Sequence, residues 1–422
     1  MTGALAAPTL ATWGIAAVAT GGVIARPFSW PEFVWAATGA LLLVVFGLLP
    51  VAGALDGVEK GIDVYLFLTG MMLLSELARQ QGLFAWLAAR AARLARGSAP
   101  RLFTLIYAVG TIVTVFLSND ATAVVLTPAV AAVARAAEAR EPLPYLFICA
   151  FVANAASFVL PISNPANLVI YGSHMPPLMQ WLPRFAPSAA VSILATYAAL
   201  RLTQRGYLKQ GVSSRVEVPE LSAAGRTAAY GIIGTAIVLL SCSAIDIRLG
   251  LPTFLAGSAT ATLVLIRARC GPLSVLRNIS WGVLLLVAGL FVLVEALERT
   301  GVTNELASLL RDLLQRSATL ATWVSGVVLA LGCNLVNNLP AGLVAGRVVG
   351  TAHVPESVRG AVLVGVDLGP NLSVTGSLAT ILWLTALRRD GQSVGAWTFL
   401  RLGLVVMPPV LVLAILALFL AV

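Results

Sequence analysis

Residues 114–130 read TVFLSNDATAVVLTPAV. Ser118, Asn119 and Asp120 interrupt an apolar run, a setting in which polar side chains are costly and mark function. Residues 333–346, CNLVNNLPAGLVAG, set Val336-Asn337-Asn338 in the same surroundings, 218 residues later. The two stretches read as two halves of one transport site.

The rest of the chain supports a membrane setting. Of 422 residues, 59% are hydrophobic and only 11% charged, against about 25% charged in soluble domains. Apolar runs near the ~20 residues that span a bilayer recur from end to end. The expected fold is an all-α polytopic membrane protein, and a structural protein or nucleic-acid binder is disfavoured. Ten crossings are predicted: Leu10–Ala25, Pro31–Pro50, Gly61–Arg79, Pro144–Tyr171, Pro177–Leu202, Thr227–Ser243, Ile247–Ile266, Ile279–Leu297, Ser357–Leu387 and Gly395–Ala421. The first has no basic residue before it, so it reads as a transmembrane helix rather than a cleavable signal.

Regions 101–134 and 318–349 break at SND and VNN, and read as re-entrant hairpins. Irregular backbone at depth is tolerated only where protein or a wet cavity surrounds it. Their arms, read as about 16 residues each, are slightly short for full crossings. Gly82–Arg96 and Val302–Arg316, ahead of each hairpin, read as interfacial amphipathic helices. This layout puts nineteen Arg and Lys residues on one side and eight on the other. The richer side is then cytoplasmic and both termini lie outside.

Gly70, Glu76 and Gly82 recur as Gly289, Glu295 and Gly301, each displaced by 219. Five crossings separate the two copies, so they run in opposite directions. An inverted repeat of this kind places the site of a secondary transporter at broken helices near the midplane. The expected organisation is N-terminal helices over 1–60 and a first repeat over 61–202, with hairpin 101–134 and broken helix 144–171. A cytoplasmic loop over 203–226 and linking helices over 227–277 follow. The second repeat covers 278–422, with hairpin 318–349 and broken helix 357–387.

The breaks supply the candidate site. Ser118, Asn119, Asn337 and Asn338 are N-cap types that also face a substrate if the tips reach mid-membrane. Asn154, Ser163 and Asn164 come from ANAASFVLPISNPANL, and Asn371, Thr375 and Ser377 from DLGPNLSVTGSLAT. A displacement of 213 pairs Asn154 with Asp367 and Asn164 with Ser377. Asp120 and Asp367 are the acids at the breaks. Burial favours the neutral acid and a helix N-terminus the carboxylate, so such a group can load and release a proton. Asp120 ranks first for proton coupling and Asp367 second, with a fixed counter-charge or cap as the alternative. Glu76 and Glu295, near helix ends, read as structural. Cys149, Cys242, Cys270 and Cys333 lack metal or disulfide spacing and read as small core residues. His174 and His353 fall at or near outer loops. Neither a resident metal nor a cofactor is expected, and no Walker, GxSxG or HExxH motif supports an enzyme.

These stretches resemble the arsenical pump membrane subunit family, the arsenite and antimonite efflux carriers of the ion transporter superfamily. Ser118–Pro128, Val336–Pro340 and Asp367–Leu384 carry the likeness, which spans the whole chain. The resemblance implies a bacterial inner-membrane carrier that exports trivalent arsenic and antimony hydroxides against inward protons. It also implies that a separate soluble ATPase is a potential partner; a homodimer is a further open expectation. Superfamily members that move dicarboxylates are similar in carrying SNT at both tips, whereas this chain has SND and VNN. Neutral amides and hydroxyls suit a neutral trihydroxide. Cys333 is a weaker candidate, as a sulfur ligand for arsenic. A sodium/proton antiporter, a channel and a polytopic membrane enzyme are the alternatives.

Overall fold

The computed structural model describes residues 7–172 and 175–421, so His174 lies outside the described residues. Helices dominate, and the described residues form only an isolated β-bridge and no strand. The chain opens with α1 (Ala7–Ala25), α2 (Glu32–Val45) and α3 (Val51–Lys60). Then come α4 (Ile62–Gln80), α5 (Leu83–Ala95) and α6 (Ala99–Phe116). The first hairpin returns through α7 (Asn119–Ala121), a π turn (Thr122–Leu126) and α8 (Thr127–Ala136). α9 (Leu143–Ala155) and α10 (Pro165–Tyr171) are the pieces of a broken helix, followed by α11 (Leu178–Thr203). α12 (Ala223–Ala244), α13 (Gly250–Ala268) and the single turn α14 (Leu273–Leu276) link the halves.

The second half repeats the first, element by element. α15 (Gly282–Arg299) answers α4, α16 (Val302–Arg316) answers α5, and α17 (Ala318–Val336) answers α6. α18 (Asn338–Ala352) is the second return arm, α19 (Glu356–Leu368) and α20 (Leu378–Arg389) the second broken helix, and α21 (Ala396–Ala421) answers α11. The predicted crossing 31–50 is thereby shortened: α2 stops at Val45, and α3 is a separate helix.

The recurring identities have backbone causes. A Cβ on Gly70 would lie 2.4 Å from the Thr253 carbonyl oxygen of α13, and one on Gly289 would lie 2.7 Å from the Ala36 carbonyl carbon of α2. Each glycine therefore permits a helix crossing that any side chain would block. The crossings exchange partners: α13 packs on α4 of the first half, and α2 on α15 of the second. Gly82 (φ 73°) and Gly301 (φ 86°) take the left-handed conformation that starts the amphipathic helices, where a side chain is strained. Glu76 accepts from Arg79 Nε at 2.7 Å, and Glu295 from Arg299 Nε at 3.1 Å and Lys60 Nζ at 2.5 Å. Both buried glutamates are thus paired, in keeping with a structural role.

Among the described residues, seven helices are long and apolar enough on their own to cross a membrane. Two of them are the outgoing hairpin arms, α6 with 18 residues and α17 with 19. Both outgoing arms are therefore longer than their sequence reading, and length alone does not exclude a crossing. Depth is decided by the neighbours. Ser163 Oγ donates to the Val115 carbonyl at 2.9 Å, next to the first tip. α10 continues for seven residues beyond that contact, about 10 Å at 1.5 Å per residue. The second tip docks likewise: Asn338 N donates to the Gly376 carbonyl at 2.9 Å, just before α20 begins. Both tips therefore end level with the breaks.

The first hairpin's ends share one anchor. Val212 N donates to the Gly97 carbonyl at 3.1 Å, and Ser213 N to the Ala137 carbonyl at 2.7 Å. One stretch of the 203–226 loop thus straps the entry and exit of the hairpin. Among the cysteines, Cys149 and Cys333 are buried, whereas Cys270 is exposed and is not a core residue.

Candidate functional site

The first tip is built as a helix start. Ser118 Oγ accepts from Ala121 N at 3.1 Å, and Asn119 Oδ1 accepts from Asp120 N at 2.9 Å. These bonds satisfy N–H groups that a helix start leaves without partners. The helix then widens over Thr122–Leu126. Pro128 has no N–H for the carbonyl four residues earlier, and its ring crowds that position. Ser118 and Asn119 are buried, whereas Asp120 is half-buried.

The second tip differs in its backbone. Asn337 sits at φ 71°, ψ 152°, a region almost confined to glycine and costing about 1–3 kcal/mol elsewhere. Its Oδ1 accepts from Leu339 N and its Nδ2 donates to the Thr375 carbonyl, both at 3.4 Å. Asn334, absent from the sequence-level candidates, braces the same break. It donates to the Gly369 carbonyl at 3.0 Å and accepts from Ser373 Oγ at 2.7 Å. Thr375 Oγ1 donates to the Asn334 carbonyl at 2.9 Å. An asparagine one turn ahead of the VNN tip was the signal available for it.

Two side-chain contacts join the breaks of opposite halves. Asn164 Nδ2 donates to Asp367 Oδ1 at 2.5 Å. Asn154 Nδ2 donates to Asn371 Oδ1 at 2.9 Å, and Asn371 Nδ2 donates to the Phe151 carbonyl at 3.1 Å. Asn154, Asn164, Asp367 and Asn371 are each at most 2% exposed. Asn164 also caps α10 through Ala166 N at 3.0 Å, and Ser377 caps α20 through Thr380 N at 3.1 Å. Around them the halves interlock: α10 packs on α18, and α20 on the π turn and α8.

The structure therefore brings Asn154, Asn164, Asp367 and Asn371 into one cluster. Asn337, Asn338, Thr375 and Ser377 form the second tip-and-break pair. Ser118, Asn119 and Ser163 belong to the first. Among the described residues, the Asp120 carboxylate has no hydrogen-bond partner, and only its backbone N bonds to Asn119 Oδ1. Three buried acceptors, Asn154 Oδ1, Asp367 Oδ2 and Asn167 Oδ1, have no hydrogen-bond partner among the described residues. Such groups are costly unless a water or a bound molecule satisfies them. Asn167, whose Nδ2 donates to the Ser157 carbonyl at 2.9 Å, was not among the chosen candidates. No Arg or Lys occurs in the tips or breaks, 117–121, 156–164, 336–339 and 369–377.

A cavity of about 1270 Å³ opens on the face that carries Lys60, Arg248 and Arg347. Leu168, one turn beyond Asn164, is among the residues that line it.

Relatives and folds agree with this architecture. The arsenical pump membrane protein of Escherichia coli is 26% identical over 401 residues, covering 91% of this chain and 92% of its own. Its namesake in Yersinia enterocolitica is 28% identical, covering 82% and 84%. An uncharacterized transporter of Mycobacterium tuberculosis is 26% identical, covering 88% and 89%. Two solved structures share the fold: the YdaH transporter of Alcanivorax borkumensis and MtrF of Neisseria gonorrhoeae. The first has a TM-score of 0.57 at 16% identity, covering 97% of this chain and 96% of that one. The second has 0.52 at 13%, covering 99% and 94%. A family model described as a citrate transporter matches residues 22–367, from α1 into α19 and through the Asn164–Asp367 contact. The chain is thus a membrane transporter and belongs to the citrate transporter family, CitMHS.

Proposed function

We propose that this transporter exports trivalent arsenic and antimony hydroxides from the cytoplasm in exchange for inward-moving protons, by alternating access. The observation that carries the reading is the cluster between the halves: buried oxygens of Asn154 and Asp367 without donors, amid amides and hydroxyls, with no cation near by in sequence. A neutral trihydroxide brings three O–H donors and no charge to be neutralised. Citrate, the substrate in the family's description, is a multiply charged anion. Charge-assisted recognition of carboxylates calls for Arg or Lys, which the tips and breaks lack. Relatives named as arsenical pumps point the same way.

The geometry favours Asp367 over Asp120 as proton carrier, reversing the ranking from sequence. Asp367 is fully buried and touches the opposite half, so its protonation state bears on the contact between halves. Asp120 is the second candidate. The moving units are the repeats 61–202 and 278–422, and the large cavity serves the release side. That face is the non-cytoplasmic one by charge bias, with both termini on it. A soluble ATPase partner is compatible with this scheme and rests on the family resemblance.

A sodium/proton antiporter is the second reading, because the same oxygens suit a hard cation. Everted vesicles distinguish the two. Arsenite accumulation that follows the proton gradient and is not competed by citrate is the expected result. Sodium-dependent proton movement without arsenite uptake, or citrate uptake, would overturn it.

A further inference from the structure

We propose that a second site, on the face richest in basic residues, binds the phosphate of an anionic lipid headgroup. A cavity of about 540 Å³ lies between the start of α6 and the end of α11. Arg201 near the end of α11, and Arg205 and Lys209 in the turns that follow it, line the cavity, and its walls contain no Asp or Glu. None of the three takes part in an ion pair found among the described residues. The Arg201 guanidinium lies 5.9 Å from the Phe103 ring centre, which fixes its direction. Three cations lining one cavity without a carboxylate suit a phosphate, and guanidinium groups suit it best.

Position selects the lipid as the source of that phosphate. The cavity sits where α11 leaves its apolar span, and Leu202, 64% exposed, is at its rim. A headgroup can therefore enter with its acyl chains lying along α11. Basic clusters just cytoplasmic of a transmembrane helix attract anionic lipid headgroups. Gly97 and Ser98 at the entry of the first hairpin, and Gly211 beside the strap that holds it, also line the cavity. Headgroup occupancy thus braces the strap, and through it both ends of the hairpin.

The test uses the full-length protein purified in detergent, with retained lipid measured by native mass spectrometry and melting followed by fluorescence. Phosphatidylglycerol should be retained at least ten-fold more than phosphatidylcholine and should raise the melting temperature. The triple variant Arg201→Gln/Arg205→Gln/Lys209→Gln should lose both effects while staying monodisperse. Arg201→Lys/Arg205→Lys should keep most of the retention, which guards against misfolding as the cause. Arg90→Gln/Arg93→Gln/Arg277→Gln removes three exposed cations elsewhere on the same face and should leave retention unchanged. Equal retention by wild type and the cavity variant overturns the site. An equal loss in the control variant overturns it in favour of bulk charge. Displacement of the lipid by millimolar inorganic phosphate overturns the lipid as the source.

Discussion

Asn164 and Asp367 lie 203 residues apart and share a hydrogen bond of 2.5 Å between the two broken helices. The donor caps the second piece of one break, and the acceptor lies near the end of the first piece of the other. The contact thus belongs to both halves.

Asp367→Asn should leave expression and melting nearly unchanged and abolish the dependence of arsenite uptake on the proton gradient, with transport falling at least ten-fold. Asp120→Asn should lower the rate but keep the gradient dependence. Uptake into everted vesicles at several imposed gradients measures both. Gradient dependence that survives in Asp367→Asn and vanishes in Asp120→Asn would return Asp120 to first place.

Asn164→Ala leaves the buried Asp367 carboxylate without its donor and removes a cap, a loss of roughly 1–3 kcal/mol. The exchanged pair Asn164→Asp/Asp367→Asn should recover most of that stability, because one amide and one carboxyl remain in contact. Thermal melts of the three variants test it. No recovery in the exchanged pair would mean that the bond is incidental to the fold.

Gly70→Ala and Gly289→Ala should each destabilise the protein by about 1–3 kcal/mol, the usual cost of overpacking. The obstructing atoms are backbone and cannot swing away. Gly234→Ala, with nothing within 4 Å of the new Cβ, should be neutral or stabilising by up to about 1 kcal/mol. Melting by fluorescence-detected gel filtration separates these outcomes.

Asn337→Gly should relieve roughly 1–3 kcal/mol of backbone strain and raise the melting temperature, while arsenite transport drops because the amide is gone. A variant that melts lower would show that the contacts of Asn337 outweigh its strain.

The readable part of the fold came from positions where backbone physics admits few residue types. Gly70 and Gly289 stand at crossings without room for a Cβ, and Gly82 and Gly301 at left-handed turns; for this reason a displacement of 219 was visible at all. The exchange of α2 and α13 between halves was invisible, because apolar helix surfaces carry no record of which partner covers them. The polar residues of the breaks were found by their cost in an apolar run. Their pairing was not, since the displacement of 213 relates equivalent positions rather than touching ones. Asp367 touches Asn164, not its equivalent, Asn154. Asn334 escaped notice, and Asn167 was seen in its break but not chosen, because each acts on backbone carbonyls around a break, a role that a single sequence does not distinguish from helix capping.

The crossing of α2 with α15 also sets an order of events during synthesis. Ala36 meets Gly289, so α2 enters the bilayer some 250 residues before its partner exists. At roughly 5–20 residues per second, the N-terminal helices wait about 10 to 50 seconds in lipid before they are covered. The first half is therefore unfinished when it is made, and the chain closes on itself only as its second half arrives.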